Sequence, residues 1–289
     1  MAVLEIEGDT ALVSPVVKRR KLGGLFLCAV AWILLIGLAA VFAAFLPIAS
    51  PTDMDMLGKR APPSAEHLLG TDSLGRDMLS RLIYGARVSL TVGLLSSVIG
   101  VTVGGALGML AGYFRGRLET LTVGGVDVLL AFPPLVFLLA VLAYLGQTVL
   151  NITLVIGVLS IPAFTRVARA VTLSLSEREF VVAARALGAT HSRILLRELL
   201  PNVSLPLVAF FLLGVAVTIV VEGALSFLGL GVPPPAPSWG SMIAEGRESL
   251  DIAPWLAFLP AGTMFITVLA FNVVGDTLRA LTDPRPGAL

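Results

Sequence analysis

The sequence predicts an all-α, polytopic membrane protein with six transmembrane helices and both termini cytoplasmic. Three observations predict it. Over 289 residues, 56% are hydrophobic and only 13% charged, and the mean hydropathy of +0.95 suits a bilayer better than water. Runs of about 20 apolar residues recur along the chain, each long enough to cross the hydrocarbon. Basic residues gather in alternate connecting segments.

Residues 1–21 form a predicted cytoplasmic tail ending in Lys18, Arg19, Arg20 and Lys21, and 22–48 is the first span. That span is too long for a signal peptide, whose apolar region takes roughly 7 to 15 residues. Residues 49–87 are extracytoplasmic, and 88–280 make a five-helix core. Its spans lie at 88–112, 122–145, 149–170, 204–230 and 256–278, with a cytoplasmic loop at 171–202 and a cytoplasmic tail at 281–289. The third and fourth spans are so close that a tight outer turn joins them at Leu145, Gly146 and Gln147.

Charge sets the orientation. The N-terminus, the link 113–119, the stretch 166–197 and the tail hold 14 of the 20 Lys and Arg. Lys59, Arg60, Arg76, Arg81, Arg87 and Arg247 lie in the opposite set, mixed with acidic residues. The formal net charge of +1 gives no field for holding nucleic acid. Cys28 is the single cysteine, which excludes an intrachain disulfide and a cysteine-based zinc site. His67 and His191 fall on opposite sides of the membrane, so no metal site is expected from them. Gly58-Lys59 lacks the upstream glycine of a phosphate-binding loop, so this chain is expected to bind no cofactor and to draw energy from a separate nucleotide-binding subunit or an ion gradient.

Gly100, Gly104, Gly108 and Gly112 line one face of the second span at a spacing of four. Such a face lets another helix approach closely, either as static packing or as a sliding interface. Asp127 in the third span and Glu222 in the fifth are costly in lipid. Both are candidates for the translocation pathway, and Glu222 is equally readable as a buried carboxylate bonded to a neighbouring helix. The proline-rich segment 231–240 is expected to be stiff, serving as an outer gate or a docking surface, with Trp239 as an alternative lipid-interface anchor.

The loop between the fourth and fifth spans, Ser176 to Asn202, reads as helix, turn, helix. Ser176 with Glu179 fits a capping box, Gly188 suits a left-handed helix end, and a second short helix is expected from Thr190 to a stop before Pro201. Phe180, Ala184 and Leu187, with Val181 beside them, make an apolar face outside the bilayer that something must cover. A partner's groove and the membrane face of the protein itself are both possible covers.

Ala183-Ala184, Gly188 and Leu200-Pro201 resemble the EAA loop of bacterial ABC-importer permeases. The segment from His67 to Leu90, the segment Leu225 to Gly231, Pro237-Ser-Trp-Gly240 and the stretch Asn272 to Arg279 are similar to the C-type permeases of dipeptide, oligopeptide and nickel importers. The resemblance implies a type I permease fold in the cytoplasmic membrane, with Glu179, Ala183, Ala184, Arg185, Ala186, Gly188, His191 and Arg193 in the coupling loop that meets the ATPase. Val182 stands where many family members carry an acidic residue, and Glu177 and Glu179 lie a turn or less upstream. It further implies a second, homologous permease, two ATP-binding subunits or one fused ATPase that bind ATP and magnesium, and an extracytoplasmic binding protein delivering peptides or related solutes. Two rival readings are a secondary transporter relaying protons through Glu222 and Asp127, and an intramembrane enzyme, for which the sequence offers no paired nucleophile and base.

Overall fold

The computed structural model describes residues 23–282. The tail predicted at 1–21 and all but the start of that at 281–289 lie outside the described residues. The helices in chain order are α1 (Gly24–Val41), α2 (Met78–Phe114), α3 (Gly116–Ala131), α4 (Pro134–Leu145) and α5 (Val149–Ser176). They continue with α6 (Glu179–Ala186), α7 (His191–Phe227), α8 (Trp239–Gly246) and α9 (Trp255–Thr282).

Among the described residues, five helices are long and apolar enough to span a membrane, and the number is six if the bent pair α3 and α4 counts as one broken span. The predicted continuous third span is thus corrected to two helices meeting at 81°. The cause is local: Phe132 is extended, and Pro133 and Pro134 follow. Proline donates no amide hydrogen bond and disfavours helical geometry in the residue before it.

The second helix starts at Met78 rather than 88, because the Asp77 side chain accepts the Ser80 amide at 2.8 Å and caps the first turn. Its 37 residues are nearly twice the ~20 needed to span hydrocarbon, so its ends stand clear of the lipid. The fifth span, α7, likewise starts earlier than predicted, at His191 rather than 204. Pro201 does not stop the second arm of the hairpin, because a wider π-type turn over Ile194–Leu199 sits just before it. A π turn shifts the hydrogen-bond register where an amide is missing, and the helix runs on.

Packing gathers the alternate segments at opposite ends, as the charge pattern predicts. At one end Arg60 Nε donates to Ser249 Oγ at 3.1 Å, and Arg76 and Arg81 bridge the carboxylates of Asp72 and of Glu245 of α8. At the other end Tyr113 meets His191, and Arg115 pairs with Glu177. Between them α2 packs on α5 and α7, and α9 packs on α1 and α7.

The glycine face of α2 lies on α5. A Cβ built on Gly104 would sit 2.5 Å from the Ile161 carbonyl oxygen, and one on Gly112 would sit 2.9 Å from that of Arg169. At Gly108 it would overlap the Thr165 carbonyl oxygen, and at Gly100 it would meet the Phe164 ring at 2.6 Å. One glycine per turn therefore faces α5 at 161, 165 and 169, where backbone meets backbone within this chain. This is the packing reading of the stripe.

Candidate functional site

The hairpin of α6 and the first turns of α7 is built from local signals. Ser176 closes α5 and donates to the Leu173 carbonyl oxygen at 3.0 Å, so the expected capping box does not form. Arg178 occupies the N-cap without a side-chain bond. The turn meets expectation. Gly188 has φ +76°, its N–H donates to the Arg185 carbonyl at 3.0 Å, and the Ala189 N–H donates to that of Ala184 at 3.0 Å. Those two bonds form a Schellman end, which needs a left-handed residue where glycine stands. Thr190 then accepts the Arg193 amide at 3.4 Å and opens the next helix.

The structure divides the predicted coupling residues between two faces. Val181 is fully buried, and Ala184 packs against the same cluster as Ile194, Leu195, Leu199 and Tyr113. The apolar face of Phe180, Ala184 and Leu187 is therefore split: the bundle itself covers Ala184 together with Val181, while Phe180 and Leu187 stay exposed. The exposed side carries Glu179, Val182, Ala183, Arg185, Ala186, Leu187 and Gly188. Val182 is 53% exposed and Leu187 89%. Arg193 is exposed on the second arm. His191 is exposed but not idle, because its Nδ1 lies 2.8 Å from the Tyr113 hydroxyl. Sequence reasoning missed Tyr113, and the signal that pointed to it was an aromatic residue closing a predicted span at the cytoplasmic edge.

Ion pairs join the hairpin's neighbours. Arg115 Nη2 donates to Glu177 Oε1 at 2.6 Å, Arg169 Nε to Glu119 Oε1 at 2.8 Å, and Arg166 Nη2 to Asp127 Oδ1 at 2.8 Å. Arg115, Arg166 and Arg169 enter the sequence reading only through the orientation rule, which names no acidic partners for them. Asp127 and Arg166 stand on an open face of α3 and α5, with side chains 54% and 60% exposed.

Glu222 sits elsewhere, sealed among α2, α7 and the start of α8. It is 0% exposed and accepts from Ser89 Oγ at 2.9 Å and from Ser226 Oγ at 2.7 Å. Ser226 and Ser238 hydroxyls lie 3.2 Å apart, and the Trp239 amide donates to Ser89 Oγ at 3.2 Å. Trp239 is itself fully buried, with its indole N–H on the Leu82 carbonyl oxygen at 3.1 Å. The lipid-interface anchor expected there is corrected: the indole pins α8 between α2 and α7. Replacing Glu222 by alanine leaves buried hydroxyls unpaired, and a loss of about 2 to 4 kcal/mol is expected. The check is the thermal unfolding of the detergent-purified chain, where Ser226→Ala should cost less than Glu222→Ala.

Residues 104–287 match the family described as "Binding-protein-dependent transport system inner membrane component". Over 269 residues the chain is 41% identical to the glutathione transport system permease protein GsiD of Escherichia coli O157:H7, which covers 93% of this chain and 89% of that protein. Over 253 residues it is 40% identical to GsiD of Pectobacterium atrosepticum, covering 88% and 84%. Among solved structures, the inward-facing MetNI methionine ABC transporter shares the fold with a TM-score of 0.57 at 18% identity, over 71% of this chain and 98% of that one.

Proposed function

The chain belongs to the family of binding-protein-dependent transport inner-membrane components, and from that premise we propose that it passes small peptides or related solutes and is driven through its α6–α7 hairpin. Membership makes it a multi-pass inner-membrane permease subunit of an ABC importer. Such a subunit is not itself catalytic: ATP is bound by partner ATPases, and a binding protein supplies the cargo. The secondary-transporter and intramembrane-enzyme readings fall with that membership.

The observation that carries the docking proposal is the pair Val182 and Leu187. These aliphatic side chains, 53% and 89% exposed, project from a capped helix beyond the lipid. An apolar helix face of this kind fits a groove on another protein. The inner face of the same helix is anchored on Val181, so a push on the outer face moves the bundle rather than bending the hairpin. Glu179, Ala183, Arg185, Ala186, Gly188 and Arg193 are proposed as docking residues, with Ala184 and His191 holding the hairpin to the bundle.

The second permease is proposed to lie against the face bearing Asp127 and Arg166. An exposed ion pair within a span is costly against lipid, and a water-filled path or a partner subunit removes that cost. Glu222 is proposed as a structural carboxylate of the outer half, because its oxygens are taken by Ser89 and Ser226. Small peptides are the proposed cargo, on the similarity to permeases named for glutathione. The experiment is reconstitution of the chain with a second permease, ATPase subunits and a binding protein from the same organism. Hydrolysis stimulated by binding protein loaded with glutathione or a dipeptide mixture is expected. Stimulation by metal chelates or haem alone would defeat the peptide assignment.

A further inference from the structure

We infer that Tyr113 and His191 form a positioning strut that makes the hairpin and the cytoplasmic end of α2 move as one body. The inference rests on the docking proposal. By chain connectivity the hairpin pulls only on α5 and α7, and α2 is reached across a sequence separation of 78 residues.

Besides the Arg185 guanidinium, whose Cζ lies 6.0 Å from the Tyr113 ring centroid, and one exposed ion pair, two kinds of contact bridge that gap. The first is apolar: Tyr113 is 9% exposed and shares a cluster with Val181, Ile194 and Leu199. Apolar contacts resist separation but permit sliding, since dispersion has no preferred direction. The second is directional. The Tyr113 hydroxyl and His191 Nδ1 lie 2.8 Å apart, and the two rings meet edge to face with centroids at 5.7 Å. Phe114 closes the other side, with its ring centroid 5.6 Å from that of His191. A hydrogen bond at this distance holds one relative orientation, because it weakens steeply as its angle departs from linear.

The neighbouring Arg115–Glu177 pair spans the same two segments, yet its side chains are 47% and 70% exposed. Water and salt screen it, and exposed pairs of this kind contribute little. Immediately above, Gly112 lies against the Arg169 carbonyl and Thr172, so the end of α2 is seated on α5. A rotation handed to Tyr113 therefore reaches the glycine-packed helix pair, and with it the spans furthest from the hairpin in sequence.

The test uses the whole importer, chain plus ATPases and second permease, with Cys28 replaced by serine and spin labels on the exposed positions Ser192 of the hairpin and Arg117, three residues past the end of α2. Distances are measured without nucleotide and after trapping with ATP and vanadate, which needs no transported solute. The unaltered chain should give one distance in both states. In Tyr113→Phe, which keeps the ring and removes only the hydroxyl, and in His191→Ala, a second distance should appear on trapping, the equilibrium between joined and separated states having shifted about 2- to 10-fold toward separation. The double variant should be no worse than either single one, and His191→Asn should recover part of the single distance. One unchanged distance in both single variants, or losses that add in the double, would overturn the strut. Two distances in the trapped unaltered chain would overturn it as well. If the unaltered chain retains no ATPase, the docking proposal itself falls and the strut with it, an outcome read directly from co-purification.

Discussion

A chain carrying Gly108→Val should fail to accumulate as a folded, monodisperse species in detergent, whereas Gly124→Ala should behave like the unaltered chain. The Cβ added at Gly108 would overlap the Thr165 carbonyl oxygen and sit 2.7 Å from Ala168 Cβ and 2.8 Å from the Arg169 nitrogen. None of these atoms ends a flexible side chain. The helices must move apart, which also loosens Gly104 and Gly112 against α5. Overpacking a tight core costs about 1 to 3 kcal/mol where side chains can adjust. Here backbone meets backbone, so the cost falls at or above that range against a total stability of about 5 to 15 kcal/mol. At Gly124 an added Cβ meets nothing within 4 Å, and alanine is the better helix former by roughly 1 kcal/mol. Size-exclusion profiles of the solubilised variants separate the two results.

Gly188→Val should uncouple hydrolysis from uptake while leaving the fold intact. Nothing lies within 4 Å of a Cβ built there, so the harm comes from the backbone alone. At φ +76° a side chain other than glycine costs about 1 to 2 kcal/mol, and a β-branched one is a steric outlier. Relief of that strain unwinds the bonds from Gly188 and Ala189 to Arg185 and Ala184 and re-aims Leu187. A cost of one or two kcal/mol changes the occupancy of the docked turn about 5- to 30-fold. Uptake per ATP hydrolysed should fall on that scale. Thermal unfolding should stay within a few degrees, because the hairpin is peripheral to the spans. Gly188→Asn should be milder, since asparagine tolerates the left-handed region. Unaltered uptake by the valine variant would count against the hairpin's role.

How much of this was legible in the sequence depends on distance along the chain. The spans were readable because lipid demands long apolar runs, and the glycine stripe because a spacing of four maps onto one helix face. The turn at Gly188 was readable because helix ends carry local rules. Averaged hydropathy passed straight over Phe132, Pro133 and Pro134, where two missing amides break the third span. It also stopped short of Met78, because Ser80, Arg81 and Arg87 look like loop residues until their partners across the fold are known. Arg81 Nη2 bonds Glu245 at 2.9 Å across 164 residues, and Ser89 meets Glu222 across 133. No local pattern announces such pairs. The capping box at Ser176 failed for a different reason: α5 runs six residues past the predicted end of its span at 170 and takes the serine into its own last turn.

The candidate site followed the same division. The hairpin, its glycine and its apolar outer residues stood in the sequence, while the split of Ala183 outward and Ala184 inward needed the cluster around Val181. The Tyr113–His191 contact needed the third dimension altogether.

The central claim is that residues 176–201 receive force from an ATPase. A single cysteine at Leu187, the outermost aliphatic residue of α6, tests it most directly, with Cys28 replaced by serine. A short bifunctional cross-linker applied to membranes holding the complete importer should join that cysteine to the ATPase subunit, with a yield that changes when ATP and vanadate are added. A cysteine at Leu57, 99% exposed at the opposite end, should give no such product. Cross-linking from Leu57 but not from Leu187, or no product from either in an assembly that hydrolyses ATP and imports its solute, would contradict the account.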